Sequence, residues 1–443
     1  MSREAVSDEG RMESESPSSQ PPGEKPARLV ADSSFHAFVA TQFLGAFNDN
    51  LYKQFVLLLF VKVPTADGGT TDLQWLALAL FSLPFILFSG LGGFLSDRHR
   101  KWSVILACKI AEVAIMCGAV FLFSRYSAVG LTPLVVAGLS ALLFLMGTHS
   151  AFFGPSKYGA LPEFFSLRNL PAVNGIVLMT TFLAIIFGSV VPGLVLDQWR
   201  DRLGYAGFMC VAVAVTGVGT ALLLRRLPAR SPGLPFSWDM LVVPRDMWQL
   251  LRQDAPLRRA LTASTIFWLA AAIVQPSVNA LGKLQLEQNN SRTSLLVMII
   301  SVGIAIGSVV AGTVGGTRFR SYVPRAGAWG MVITLLAMAM PWGPQQHSLG
   351  YTGSLVMLCL LGVATGLFAV PLNVFLQSRP PDGLKGRTIA TQNLLNWVGI
   401  FVAAGLYEVG RLVLDASGWP GNGLFAFTAL LMAPIALRYR TGE

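Results

Sequence analysis

The residues able to do chemistry crowd into one stretch, Gln42–Gln54, QFLGAFNDNLYKQ. Asn48, Asp49, Asn50, Lys53 and Gln54 fall inside an apolar run from about Phe35 to Phe60. That run is long enough to cross a bilayer, which takes roughly 20 apolar residues. A bare charge at bilayer depth costs at least ~2.5–3.5 kcal/mol on insertion scales. A helix that keeps Asp49 and Lys53 there is expected to turn them into a protein interior or a wet cavity. The two lie one helical turn apart, on one face. Such a pair can bind opposite ends of a zwitterion, or neutralise itself when none is bound.

Other polar groups sit in apolar segments further on. Lys157 is a candidate phosphate contact. Asn373, Gln377, Gln392, Asn393 and Asn396 are amides that either touch a cargo or join helices, at about 0.6 kcal/mol each in the second role. Lys109 and Glu112, three residues apart, are expected to form a local ion pair. Glu408 is either a proton-coupling acid, as Asp49 could be, or an interface residue. His149 titrates near neutrality and could shuttle protons, although a lone His in an apolar helix is more often simply hydrogen-bonded. Cys108, Cys117, Cys210 and Cys359 all lie in apolar segments without metal-ligand spacing, and read as small buried hydrophobes.

The elements that must position these groups follow from composition. Of 443 residues, 53% are hydrophobic and only 13% charged, with mean hydropathy +0.57. Soluble domains carry about 25% charged residues. The chain reads as an all-α membrane protein. Windows of about 19 residues give candidate spans near 35–60, 73–96, 102–124, 131–154, 172–196, 205–225, 259–281, 294–316, 323–341, 351–376, 388–414 and 421–437. Residues 1–34, rich in Ser, Pro and Glu, read as a disordered cytoplasmic tail and not a signal peptide. Residues 35–225 and 259–437 form two bundles of six spans. Residues 226–258, with Pro228, Pro232, Pro235, Pro244 and Pro256, read as a cytoplasmic linker, and 438–443 as a second cytoplasmic tail. Net charge is +10, and most of the 33 Lys and Arg fall in the N-terminal tail and the even-numbered loops. The opposite loops hold only Lys62, Arg125, Arg200, Arg202, Lys283, Arg292 and Arg411. That asymmetry places both termini in the cytoplasm, and topology rather than nucleic acid explains the charge.

The two halves resemble each other. Asn174 followed by Phe182-Leu183-Ala184 matches Asn393 followed by Phe401-Val402-Ala403, and the same offset carries Gly93 onto Gly312. At nearly that offset, Phe152-x-x-Pro155-x-Lys157 matches Phe368-x-x-Pro371-x-Asn373. A near-constant offset across a six-plus-six layout marks a duplicated transporter.

Gly93-Phe-Leu-Ser-Asp97-Arg98-His99-Arg100-Lys101 resembles the loop signature of the major facilitator superfamily, apart from Arg100 where the pattern has glycine. The resemblance implies that family's fold, twelve transmembrane helices in two pseudo-symmetric six-helix bundles. It also implies a gating role for Gly93, Asp97, Arg98, Arg100 and Lys101. Gly93 would admit close helix approach, and Asp97 would sit at a helix N-terminus or pair with a basic residue. The alternative is a loop that serves only to fix orientation. Gly188-Ser-Val-Val-Pro192-Gly193 resembles a Gly/Pro-rich motif of the same superfamily, with helix packing as its default meaning.

A more specific resemblance is to the lysophospholipid transporters within that superfamily. It rests on Gln42-Phe-Leu-Gly-Ala-Phe-Asn48-Asp49-Asn50, on Gly154-Pro155-Ser-Lys157-Tyr158-Gly159-Ala-Leu161, and on Val370-Pro371-Leu372-Asn373-x-x-Leu376-Gln377 with Ala390-x-Gln392-Asn393. It implies movement of lysophospholipids such as lysophosphatidylethanolamine from the outer to the inner leaflet of the cell inner membrane. Reacylation would fall to a separate acyltransferase, since the chain ends just after its last span. Asn48, Asp49, Asn50, Lys53, Gln54, Lys157, Tyr158, Asn373, Gln377, Gln392 and Asn393 become the candidate substrate-binding residues. The competing readings are a proton-coupled symporter or exporter of a small soluble metabolite or drug, and a non-transporting scaffold. No Ser/His/Asp set, metal cluster or phosphate loop suggests an enzyme, a cofactor or direct ATP use.

Overall fold

The computed structural model describes residues 33–165, 170–229, 231–233, 235, 245–315, 322–340, 347–381 and 384–438. The tail expected over 1–34 therefore lies outside the described residues except for Ser33 and Ser34, as do 439–443, the linker residues 236–244 and the basic loop around Arg318 and Arg320.

The first half comprises α1 (Ser33–Phe60), α2 (Gln74–Arg98), α3 (Lys101–Val129), α4 (Pro133–Phe164), α5 (Leu170–Gln198) and α6 (Gly204–Leu222). A two-stranded hairpin, Val63–Pro64 against Thr70–Thr71, joins α1 to α2. The short α7 (Arg245–Gln253) follows the prolines of the linker. The second half comprises α8 (Ala255–Ala280), α9 (Asn290–Gly315), α10 (Tyr322–Ala339), α11 (Gly350–Ser378), α12 (Lys385–Ser417) and α13 (Gly423–Arg438). Ten of the described helices are long and apolar enough to cross a membrane. Polar residues interrupt α1, and α13 has only 16 residues.

Local signals set the helix ends. Thr132 caps α4 through Val135 N, with Pro133 in the first turn. Asp254 caps α8 through Leu257 N (3.0 Å), with Pro256 in the first turn. A side-chain acceptor satisfies a free N–H, and proline costs nothing where no intrahelical bond is lost. Gly418, at φ 69°, ends α12 in the left-handed region that glycine tolerates.

Packing repeats between the halves. In the first, α1 lies on α5, α2 on α4 and α3 on α6; in the second, α8 lies on α12, α9 on α11 and α10 on α13. The halves meet where α5 crosses α9 and where α2 crosses α12, a reciprocal exchange. Each half has its own apolar core, around Tyr52, Phe55, Phe123 and Met146 in one and Phe267, Met331, Leu358 and Phe368 in the other. The tightest contact is α9 on α11. A Cβ on Gly307 would collide with the Val363 backbone, and one on Gly366 would lie 2.5 Å from Ser308 N. Small residues are what let membrane helices touch backbone to backbone.

Gly307→Leu should therefore force α9 off α11 and destabilise the second half by ~1–3 kcal/mol or more. Thermal unfolding in detergent checks this; an unchanged melting temperature would mean that the close contact is dispensable.

Candidate functional site

The polar turn of α1 divides its side chains among three places. Asn48 and Asp49 turn into the first bundle. Asn48 Nδ2 donates to Glu112 Oε1 (2.6 Å), and Lys109 Nζ donates to Glu112 Oε2 (2.7 Å). Lys109 and Glu112 are both 0% exposed, so the expected local pair is present and fully buried. Two glycines leave room for the lysine: a Cβ on Gly45 would lie 2.5 Å from Lys109 Nζ and one on Gly217 3.3 Å from its Cδ. The Lys109 ammonium also lies 5.0 Å from the centroid of Phe153. His149 Nε2 is 3.5 Å from Glu112 Oε2, and His149 Nδ1 is 3.3 Å from Ser150 Oγ. Ser150 in turn donates to Asp49 Oδ2 (2.6 Å). The other oxygen, Asp49 Oδ1, is buried without a hydrogen-bond partner.

Asn50 and Lys53 face the space between the halves. Lys53 Nζ donates to Asn50 Oδ1 (3.1 Å) and lies 5.4 Å from the Phe81 ring centroid. Among the described residues no ion pair joins Asp49 to Lys53; the helix sends one toward α4 and the other outward. The cavity that Asn50 and Lys53 line has a volume of about 270 Å³, near the lower end of the ~300–1,000 Å³ usual for ligand sites. Lys53 is the one charged side chain on its described wall. From there the cavity runs past Trp268 and Trp397 into the second bundle, among Ile304, Leu335 and Leu361. Trp397 stacks on Phe85 at 3.6 Å and helps form the floor where α2 meets α12.

Gln54, one residue on, closes the end away from the termini. Gln54 Nε2 donates to Asn279 Oδ1 (3.1 Å) and Gln275 Nε2 to Gln54 Oε1 (3.1 Å). Asn279 Nδ2 donates to Gln74 Oε1 (3.0 Å), Gln74 Nε2 to Asp72 Oδ2 (3.1 Å), and Tyr407 OH to the same Asp72 oxygen (2.6 Å). Burial pushes the Asp72 carboxyl above the usual carboxylate range, and the Tyr407 and Gln74 bonds pull it back in part. Beside this chain, Asp197 at the end of α5 caps α9 by accepting from Asn290 N (3.0 Å) and Ser291 N (2.7 Å). A carboxylate at a helix N-terminus is favourable both as cap and as charge.

The other expected residues scatter. Lys157 is buried, 5.0 Å from the Tyr158 ring centroid and within electrostatic reach of Asp49, while Tyr158 itself is exposed. Gln392 Nε2 donates to Asn373 Oδ1 (3.1 Å) and Ser264 Oγ (3.3 Å), so this part of the late amide set ties α12 to α11 and α8. Gln377 and Asn393 are exposed. Glu408 is held at both oxygens by Arg411, at 2.7 and 3.0 Å, and Arg411 also reaches Asp415. The gating loop departs from expectation. Asp97 lies in the last turn of α2, not at a helix N-terminus, and is exposed with no ion-pair partner among the described residues. Its backbone oxygen accepts from Ser231 N of the linker (3.1 Å). Arg98 lies over Phe94, and Arg100 is exposed. Lys101 is buried and pairs with Glu163 at the end of α4 (2.5 Å). A Cβ on Gly93 would meet nothing within 4 Å; the tight glycine is Gly92, where a Cβ would lie 2.7 Å from Ala151 O.

Sequence reasoning missed Glu163, Ser150, Asp72, Gln74, Gln275, Asn279 and Tyr407. Asp72, a lone acid beside a span start, was the one readable signal; the others are common residue types that only tertiary contact makes special.

The Major Facilitator Superfamily model matches residues 38–404. The lysophospholipid transporter LplT of Serratia proteamaculans is 27% identical over 423 residues, covering 93% of this chain and 96% of the relative. LplT of Klebsiella pneumoniae strain 342 is 28% identical over 409 residues, covering 90% and 94%. Among solved structures, an auto-inhibited peptide transporter of the POT family superposes with TM-score 0.69 at 14% identity, covering 92% of this chain and 98% of that one. The nucleoside transporter NupG superposes with TM-score 0.65 at 11% identity, covering 91% and 98%. At such identities these two speak for the fold alone.

Lys109→Met strands Glu112 as an unpaired buried charge and should cost ~3–5 kcal/mol. Lys109→Met combined with Glu112→Leu should cost less than Lys109→Met alone. Thermal unfolding of the single and double variants measures the coupling, and strictly additive losses would show that the pair does not act as a unit.

Proposed function

The chain belongs to the Major Facilitator Superfamily, and on that premise we propose that it carries lysophospholipids across the inner membrane by alternating access. The observation that carries this reading is the make-up of the cavity: one ammonium, Lys53, on the wall of an otherwise largely apolar cleft that runs into the second bundle. A lysophospholipid is one anionic phosphate on one acyl tail. A cation for the phosphate and an apolar wall for the tail are what such a cargo needs. A small soluble metabolite would leave that wall unmatched. The relatives named for lysophospholipid transport span nearly the whole chain, which supports the same cargo.

Lys53 binds the phosphate and Asn50 steadies it. Asp49 and Lys157, one layer deeper, set the charge around the headgroup, Asp49 favouring an ammonium. Gln54 links this site to the closed end. By the distribution of Lys and Arg the termini are cytoplasmic, so the closed end faces outward and the cavity opens inward. The reverse state needs the chain from Gln54 to Tyr407 and the Asp197 cap to part, while matching contacts form on the other side. Cargo then travels from the outer to the inner leaflet, where a separate acyltransferase consumes it.

Two experiments test this. In liposomes containing the purified protein, headgroup accessibility follows the movement of lysophosphatidylethanolamine. Lys53→Ala should slow it about ten- to a hundredfold, because a hydrogen bond to a charged group is worth ~1.5–3 kcal/mol. Leu335→Trp should fill the inner end of the cleft and slow long-chain lysolipids more than short-chain ones; equal slowing would exclude a tail site there. Separately, Gln74→Ala should raise the thiol labelling of a cysteine placed at Thr428, on the cavity wall, by a reagent supplied from the closed side. Unchanged labelling would remove the hydrogen-bonded chain from the gate.

A further inference from the structure

Asp49, Ser150, His149 and Glu112 make a line inside the first bundle, with one gap, between His149 and Glu112. Ser150 Oγ is 2.6 Å from Asp49 Oδ2 and 3.3 Å from His149 Nδ1, and His149 Nε2 is 3.5 Å from Glu112 Oε2. Two acids are thus bridged by a hydroxyl and an imidazole, the groups that pass protons. The ends differ. Glu112 has a direct cation in Lys109, whereas Asp49 has no ion-pair partner among the described residues. Two atoms on the line, Asp49 Oδ1 and His149 Nε2, are buried without a hydrogen-bond partner. Unsatisfied buried polar atoms are uncommon and call for a reason.

We propose that this line is a proton site, and that carriage of a lysolipid is coupled to the proton it holds. A proton on Asp49 Oδ2 moves to Ser150 Oγ as the Ser150 proton moves to His149 Nδ1. The His149 Nε2 proton then moves to Glu112 Oε2 once that gap closes to hydrogen-bond length. Each step breaks one O–H or N–H bond and forms another. The electron pairs stay on the heavy atoms, and the net change is an ionised Asp49, a protonated Glu112 and the other His149 tautomer. The charged groups around the line are Lys53 on α1, Lys109 on α3 and Lys157 on α4; α3 and α6 add the thiols Cys108 and Cys210, and α5 brings no charge near this level.

The geometry supplies the coupling. As a carboxylate Glu112 holds Lys109 and, through Asn48, the start of the polar turn of α1. Once neutral it holds both less strongly, since charge-assisted bonds are about twice as strong as neutral ones. The same turn carries Lys53 into the cavity and Gln54 into the closed end. A proton reaching Glu112 therefore loosens α1 at the point from which cargo and gate are both held.

The inference rests on the lysolipid reading, and the test separates the two. Liposomes holding the wild-type protein and a trapped pH dye receive lysophosphatidylethanolamine, and lipid movement and internal pH are recorded together. The expected result is a pH change that accompanies lipid movement, with a rate that differs several-fold between acidic and alkaline buffer. His149→Gln keeps a hydrogen-bonding amide but cannot titrate; it should retain gradient-free lysolipid exchange and lose the pH change. Lipid movement with no pH change and a flat pH profile in the wild type overturns the proton site and leaves the cargo standing. No lipid movement in the wild type overturns both. If His149→Gln is as proton-coupled as the wild type, the line through the imidazole is wrong.

Discussion

One buried carboxylate, Glu112, constrains much of this molecule. Taking an ion pair out of water costs several kcal/mol per ion, which only close geometry and full hydrogen bonding offset. Glu112 meets that demand with hydrogen bonds from Asn48 of α1 and Lys109 of its own helix, and His149 of α4 stands 3.5 Å away. The lysine needs the space left by Gly45 and Gly217 and the ring of Phe153. Four helices are thereby fixed in rotation and depth at one point. Once Asn48 is fixed, helical geometry dictates the rest: each later residue turns by about 100°, and Asp49, Lys53 and Gln54 are delivered to three different neighbourhoods.

The duplicated halves have diverged in chemistry while keeping their packing. The first half concentrates its buried ions around α1, α3 and α4. The second supplies the apolar end of the cleft, where Ile304, Leu335 and Leu361 stand. A two-ended cavity suits a two-ended cargo, and neither half builds it alone. The close α9–α11 contact braces the apolar end of the cleft.

Much of this was legible in the sequence. Hydropathy periodicity and the offset between repeats gave the layout, because a membrane span needs only length and apolarity. Glu112 and Lys109 were readable as a pair, since three-residue spacing brings helix side chains together. The split between Asp49 and Lys53 was not, because spacing says which face two residues share and not which neighbour that face meets. The places of Asp97 and Gly93 were not legible for a related reason: the motif fixed the loop, while contact with α4 fell to Gly92 and Lys101. The chain of Gln54, Asn279, Gln74, Asp72 and Tyr407 joins residues hundreds of positions apart, and no local pattern marks it.

The closure at the end away from the termini mixes neutral amides with charged groups. Gln54, Gln74, Gln275 and Asn279 bond to one another, while Asp72 holds Gln74 and Tyr407, and Asp197 holds Asn290 and Ser291. Ionic strength screens charges but leaves amide–amide bonds nearly untouched. The amide links among Gln54, Gln74, Gln275 and Asn279 thus keep nearly the same firmness from dilute to saline surroundings, and only the bonds to Asp72 and Asp197 are left for salt to soften.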